Sequence, residues 1–266
     1  MKRYLRRMPI AADFYRLLRL TFHLMSLPRR SLLGFKLVGG HPLQLRGQYE
    51  PEVANLLRQR LPNAKRFINV GANIGYWPVI IRHFGFVGEM ILIEPDSINL
   101  KILRRNLKIN NLQGIKILDY AANNVAESLK LYGYGTGISG IKGWAGGFSD
   151  RACIVKSNLL DALVNSSSEL TIFLIDVEGF ELQVLEGAVN HINGNSEFLI
   201  EIAINEHQPS GIQMNPSFAR IFELMTSNNY KVFSWVPSFC ELQISDIAHL
   251  MSGELENKSQ MYYFSK

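Results

Sequence analysis

The chain is short of cysteine, short of acid at its front, and without any long uninterrupted apolar run. Its two cysteines, Cys153 and Cys240, lie far apart and outside any metal-ligand spacing, which excludes a disulfide framework and a zinc site and makes a reducing compartment the expectation. No stretch of about 18 residues stays apolar without a charge or a glycine-rich break, so no transmembrane helix is expected. The opening MKRYLRR could begin a secretory signal, but Asp13, Arg16 and Arg19 interrupt each candidate apolar core. A cytoplasmic protein is therefore expected. Residues 1 to 50 carry ten Lys and Arg against only Asp13 and Glu50, a net +8, which leaves −3 for the rest of a chain whose total is +5. A body that is slightly acidic argues against a nucleic-acid groove over its main sheet, since such grooves are lined by clustered Lys and Arg.

With 266 residues, 47% of them hydrophobic and 19% charged, the chain has the material for one large core. Within AADFYRLLRLTFHLMS, residues 11 to 26, Phe14, Leu18, Phe22 and Met25 share one helical face. Residues 1 to 50 thus read as a basic helical arm. It is suited either to covering the rest of the protein or to peripheral contact with an anionic membrane or a partner. Residues 51 to 266 read as one α/β domain. Strand candidates are Phe67–Val70, Met90–Ile93, Ile115–Asp119, Thr171–Asp176, Phe198–Ile202, Lys231–Trp235 and Met261–Phe264. Helical stretches, notably Ile74–Phe84, Ser97–Asn110, Glu181–Asn190 and Ser217–Thr226, lie between most of them. That alternation predicts a mostly parallel sheet with right-handed crossovers, with room for an antiparallel last strand. Residues 133 to 150 break the rhythm with seven glycines. This segment, with Tyr134, Trp144 and Phe148, is expected to be a loop, either a mobile lid over a ligand or one that its aromatics pin down.

Two nucleotide fingerprints are also missing. In FINVGANIGYWPVI an apolar strand, Phe67 to Val70, breaks into a turn and resumes as helix. A dinucleotide motif counted from Gly71 would need glycine at 73 and 76, where the chain has Asn73 and Tyr76. A P-loop would need a lysine that is not there. Gly71 and Gly75 let the backbone approach a ligand, yet no basic residue waits for phosphate. Glu94, at the end of the next strand in ILIEPD, stands near the spacing at which a carboxylate accepts from ribose hydroxyls. A nucleoside without phosphates fits, and S-adenosylmethionine is the common cofactor of that kind. Asp119, the last residue of the third strand, and Tyr120 after it complete the expected cofactor contacts.

A third station is TIFLIDVEGFELQVLEGA, where an apolar strand delivers Asp176 and Glu178 to its carboxyl end before Gly179 turns the chain into helix. Helix capping accounts well for Glu181 and less well for Asp176. Taken together, NVGANIGYW, IEPD, the Asn106 and Asn110 pair in LRRNLKINN and IDVEGFELQVLEGA resemble the FkbM family of S-adenosylmethionine-dependent methyltransferases. The resemblance covers roughly residues 64 to 237. It implies a class I Rossmann-like methyltransferase fold with a seven-stranded sheet and helices on both faces, and O-methylation of a sugar or other natural-product hydroxyl. It also implies that Gly71, Ala72 and Asn73 line the methionine end of the cofactor and that Glu94 holds the ribose. Where the family usually has Asp, this chain has Asn69, a neutral amide of similar shape.

The expected catalytic residues are Asp176, Glu178 and His207, with Glu201 and Glu206 of EIAINEHQP as further carboxylates. A group near the acceptor would take up its hydroxyl proton. Asp176 and Glu201 at neighbouring strand ends could also bind a divalent cation, but no His or Asn cluster completes a shell, so no resident metal is expected. The other readings are methylation of nitrogen or of a small metabolite, and a non-catalytic methyltransferase-like partner tethered by its basic arm.

Overall fold

The computed structural model describes residues 25–133, 138–142, 144, 152–205, 214–235, 238–256 and 259–266, together with Leu18 and Phe22. The apolar runs form the strands. β3 (Arg66–Val70), β4 (Glu89–Ile93), β9 (Thr171–Ile175) and β10 (Ser196–Glu201) are buried almost throughout, as parallel strands covered on both faces must be. With β5 (Ile115–Leu118), β11 (Lys231–Trp235), β12 (Phe239–Leu242) and β13 (Met261–Ser265) they make one sheet in the order β12-β11-β13-β10-β9-β3-β4-β5. β5, β4, β3, β9 and β10 run parallel, and β13 inserts antiparallel between β10 and β11. All seven expected strands are present. The eighth, β12, is an antiparallel edge held by Phe239, whose ring stacks on Phe233 and packs on Trp235.

Alternate residues of each strand feed opposite cores. Ile68, Val70, Phe173, Ile175, Phe198 and Ile200 pack with α5 (Leu160–Leu163), α6 (Glu181–Glu186), α7 (Val189–Asn193), α8 (Phe218–Ser227) and α9 (Ile244–Ser252). Phe67, Met90, Leu92, Ile172 and Leu174 pack with α2 (Pro51–Arg60), α3 (Tyr76–His83) and α4 (Ser97–Ile109). The single helix expected from Glu181 to Asn190 is in fact two. A Cβ at Gly187 would stand 2.0 Å from the carbonyl oxygen of Asn123, so the chain bends where it meets β6 (Ala121–Asn123). β6 joins β8 (Ala152–Leu159) and β7 (Ser128–Tyr132) in a small sheet that the sequence did not reveal.

Part of the segment read as an arm packs on the domain. A short hairpin of β1 (Arg29–Arg30) and β2 (Lys36–Leu37) and the helix α1 (Pro42–Arg46) lead into α2. The buried Asn106 of α4 fixes this lead: its Oδ1 accepts from the Val38 N–H at 2.7 Å, and its Nδ2 donates to Val38 O at 3.1 Å and to Ile74 O at 2.7 Å. Asn110 does the same for Lys36 at the surface. Leu18, Phe22 and Met25 are helical and exposed; the rest of residues 1 to 24 lies outside the described residues, so the arm's course is not traced. Among the described residues no helix is long and apolar enough to cross a membrane. Asn106→Ala strands three buried backbone groups, so a loss of about 2–3 kcal/mol is expected in urea unfolding, against less than about 1 kcal/mol for the exposed Asn110→Ala.

Candidate functional site

The carboxyl ends of β3, β4 and β9 open onto one cavity, where an open α/β sheet places its ligand. At the end of β3 the chain turns sharply, with Gly71 at φ 81° and its N–H, like that of Ala72, donating to Ile93 O. A Cβ on Gly71 would lie 1.8 Å from the carbonyl oxygen of Asp176, so only glycine lets the β3 turn and the end of β9 lie together. Asn73 follows in the left-handed region at φ 49°, and its N–H donates to Glu94 Oε2 at 2.7 Å. The other oxygen of Glu94 accepts from the Asp96 N–H at 2.8 Å and from the Asn99 amide at 3.3 Å. Burial pushes this carboxyl up to about 7, and those three donors act against the rise. Asp96 caps α4 by accepting from the N–H groups of Ile98 and Asn99.

Of the residues expected around a cofactor, Gly71, Asn73, Glu94 and Tyr120 line the cavity. Ala72 is buried beside it, and Gly75 caps α3. Asn69 is not in the lining. The two-residue period of β3 turns it to the sheet face of Phe67, where its Nδ2 donates to Leu174 O at 3.2 Å and its Oδ1 has no partner. Asp119 follows edge strand β5 and is exposed, so it too stands outside the lining. Sequence reasoning missed Asn99, Ala121, Leu129, Leu131, Ile138 and Phe180. Asn99 could have been found, since it falls on the first turn of a helix that begins just after Glu94. Leu129, Leu131 and Ile138 could not, because they reach the cavity through the small sheet and the segment beyond it.

That segment lies over the DVEG turn. Ser139 pairs with Tyr132, and its hydroxyl donates to Glu178 O at 2.7 Å. Trp144 is 2% exposed, and a Cβ on Gly179 would come within 2.9 Å of its Nε1. The described part of the glycine-rich stretch is thus packed in place by Trp144; Tyr134 and Phe148 lie outside the described residues.

The opposite edge of the cavity is acidic. β9 and β10 pair Ile175 with Ile200, which sets Asp176 and Glu201 side by side one residue further on, and their carboxyl groups hydrogen-bond. Burial raises Asp176 to about 6. Glu201 is pushed well above the carboxylate range, first by the charge of Asp176 and then by burial. Glu50, from the turn before α2, stands near both and is raised to about 7, chiefly by burial. Glu178 lines the cavity from a left-handed backbone at φ 54°. Glu181 accepts from the Gly179 N–H at 2.9 Å, and burial raises it to about 7. His207 and Glu206 lie outside the described residues. Among the described residues no group of three or more His, Cys, Asp or Glu is placed to hold a metal ion.

Raised carboxyl groups give a definite pH dependence. The folded chain keeps protons that the unfolded chain releases, so the contribution of these groups to stability is fully present below the ordinary carboxylate range and is lost as pH rises through about 6 to 7. The ligand-free protein is expected to melt at a higher temperature at about pH 5.5 than at about pH 8, as read by circular dichroism. Gly71→Ala is expected to abolish ligand binding and to lower the melting temperature, because the added methyl displaces the Asp176 backbone.

Comparison with known proteins comes down to one family model and a set of distant folds. The model of the methyltransferase FkbM domain matches residues 69–232, more than half of the chain. No curated protein matches the sequence. Among solved structures, the chain is similar to the ribosomal protein L11 methylase of Lactobacillus delbrueckii subsp. bulgaricus, with 10% identity and a TM-score of 0.46 over 86% of this chain and 81% of that one. It is similar to the methyltransferase domain of bacterial CtHen1-CN, with 12% identity and a TM-score of 0.47 over 84% and 98% of the two chains. A third is a SAM-dependent O-methyltransferase of Thermotoga maritima, with 10% identity and a TM-score of 0.42 over 90% and 76%. The fold assignment rests on the strand order, and the family on the match across the strands and turns that build the cavity: the chain belongs to the FkbM family of S-adenosylmethionine-dependent methyltransferases.

Proposed function

We propose that this chain transfers a methyl group from S-adenosylmethionine to a hydroxyl of a saccharide, glycolipid or natural-product acceptor. The observation that carries the reading is the donor set of the cavity. A buried Glu94 directly follows β4 there, Asn73 has a buried Oδ1 without a partner, and among the described residues the lining holds no Lys or Arg. Such a wall fits a nucleoside and offers nothing to a phosphate. Glu94, Asn73 and Tyr120 would hold the cofactor, with Leu129, Leu131 and Ile138 as apolar cover.

The cofactor supplies an electrophilic methyl group on a sulfonium. What the chain supplies is alignment and exclusion of water, from which up to roughly 7–11 kcal/mol can come. Asp176 lines the cavity, and burial raises its carboxyl above the usual carboxylate range, which makes its ionised form a stronger base toward the acceptor's hydroxyl proton. The reading places the enzyme in the cytoplasm. The basic N-terminal segment, with Leu18, Phe22 and Met25 exposed, would be its contact with an anionic membrane surface or a partner.

Calorimetry with S-adenosylhomocysteine tests the cofactor. The unaltered protein is expected to bind it with micromolar affinity. Glu94→Gln, which keeps the shape of the side chain, is expected to weaken binding by about tenfold or more, as loss of one charged hydrogen-bond pair would. Absence of binding by the unaltered protein would sink the reading. Mass spectrometry of methylated products from a panel of hydroxyl and amine compounds then identifies the acceptor atom, and a product methylated only on nitrogen would transfer the assignment to an N-methyltransferase.

A further inference from the structure

Asp176 and Glu178 line the cavity; beside it Glu201 lies against Asp176, and Glu50 stands close to both members of that pair. Among the described residues, what acts on Asp176 and Glu50 is burial, the hydroxyl of Tyr49 and other acids, and no Lys or Arg. Carboxyl groups so placed cannot all ionise, and like charge side by side in a buried setting makes one of the Asp176–Glu201 pair keep its proton.

A second observation does not depend on these charges. Tyr76 is only 3% exposed, its hydroxyl has no hydrogen-bond partner, and it lies within electrostatic reach of Glu50. Its ring meets that of Tyr49 edge-on at 5.4 Å, and Tyr49 is hydrogen-bonded to Glu50. Trp77 continues the wall, 5.2 Å from Tyr76 and 6.4 Å from Tyr49. A buried phenol hydroxyl without a partner marks a missing polar group, and it can accept from an N–H donor placed there. Carboxylates, aromatic rings and a hydroxyl acceptor together suit a protonated amine, which brings charge and several N–H donors at once. A divalent metal suits them less, since no three ligating groups among the described residues converge.

We infer that Glu50 and Glu201, beside the wall of Tyr49, Tyr76 and Trp77, form a binding site for a primary ammonium group carried by the methyl acceptor. The acceptor class is then an amine-bearing hydroxyl compound such as an amino sugar. This deepens the methyltransferase reading and rests on it. The ammonium replaces the shared proton, so binding releases a proton to solvent and leaves Asp176 ionised toward the cavity.

The test uses the full chain saturated with S-adenosylhomocysteine near neutral pH. It is titrated with D-glucosamine and with D-glucose as the neutral probe, in two buffers of different ionisation enthalpy. Glucosamine is expected to bind at least about tenfold more tightly than glucose and to release protons. Glu50→Gln and Glu201→Gln are each expected to remove most of that preference while leaving S-adenosylhomocysteine affinity within about twofold. Glu50→Gln also removes a buried like charge and is expected to melt above the unaltered protein without ligand, whereas Glu201→Gln replaces a protonated carboxyl by an amide of the same shape and is expected to melt close to it; either result separates lost binding from lost folding. Equal binding of the two sugars overturns the inference and leaves the methyltransferase reading in place. Failure of S-adenosylhomocysteine to bind overturns both. A loss of S-adenosylhomocysteine affinity in Glu201→Gln would give the carboxylates to the cofactor's own ammonium, and stoichiometric Mn²⁺ binding that excludes glucosamine would give them to a metal; either result overturns the assignment to the acceptor.

Discussion

The contact of Gly71 with the backbone of Asp176 is the constraint on which the rest of the site depends. The two residues end adjacent parallel strands, and the space between them holds a hydrogen but no methyl group. Because the strands can come this close, the turn after β3 folds back toward β4. Its next residues donate to Ile93 and Glu94. The cavity thereby has a polar wall after β4 and an acidic wall after β9, backed by Glu201 of β10, joined at one glycine.

Burial raises the carboxyl groups on both walls, but the two walls answer it differently. Glu94 accepts from two backbone N–H groups and one side-chain amide, a local cradle built by residues 73 to 99. Such a carboxylate is satisfied by the fold and turned to neutral donors. Asp176 has another acid as its hydrogen-bond partner, and Glu50 has Tyr49. Their environment calls for positive charge, because in a poorly solvated setting repulsion among acids is weakly screened. One wall therefore suits hydroxyls and the other a cation.

Much of this was legible in the chain. The runs FINV, MILI, TIFLI and FLIE read as strands because each is apolar and bounded by turn residues, and the turn GANIG read as a ligand turn without phosphate. Glu94 and Asp176 were placed at strand ends by the same pattern. Other features were not legible. The small sheet depends on β6, three residues long, and on β8, where Ile154 is exposed and the alternation is poor. Asn69 looked like part of the ligand turn from its place in NVGAN; the strand's alternation directs it inside the sheet instead. Asn106 and Asn110 were noticed as a motif, yet their work of holding residues 36 to 38 depends on pairings across more than sixty positions of sequence.

By itself the sequence determined the alternation of strand and helix, the glycine turn, and which carboxylates stand at strand ends, because each is set by neighbours within a few residues. Only the tertiary structure decided that Glu50 and Tyr49 from the N-terminal lead meet Asp176 and Glu201, and that Tyr76 buries an unpartnered hydroxyl beside them. Those meetings depend on the order of strands in the sheet and on how the lead crosses α4. Both are fixed by packing between residues far apart in the chain, which no local pattern encodes.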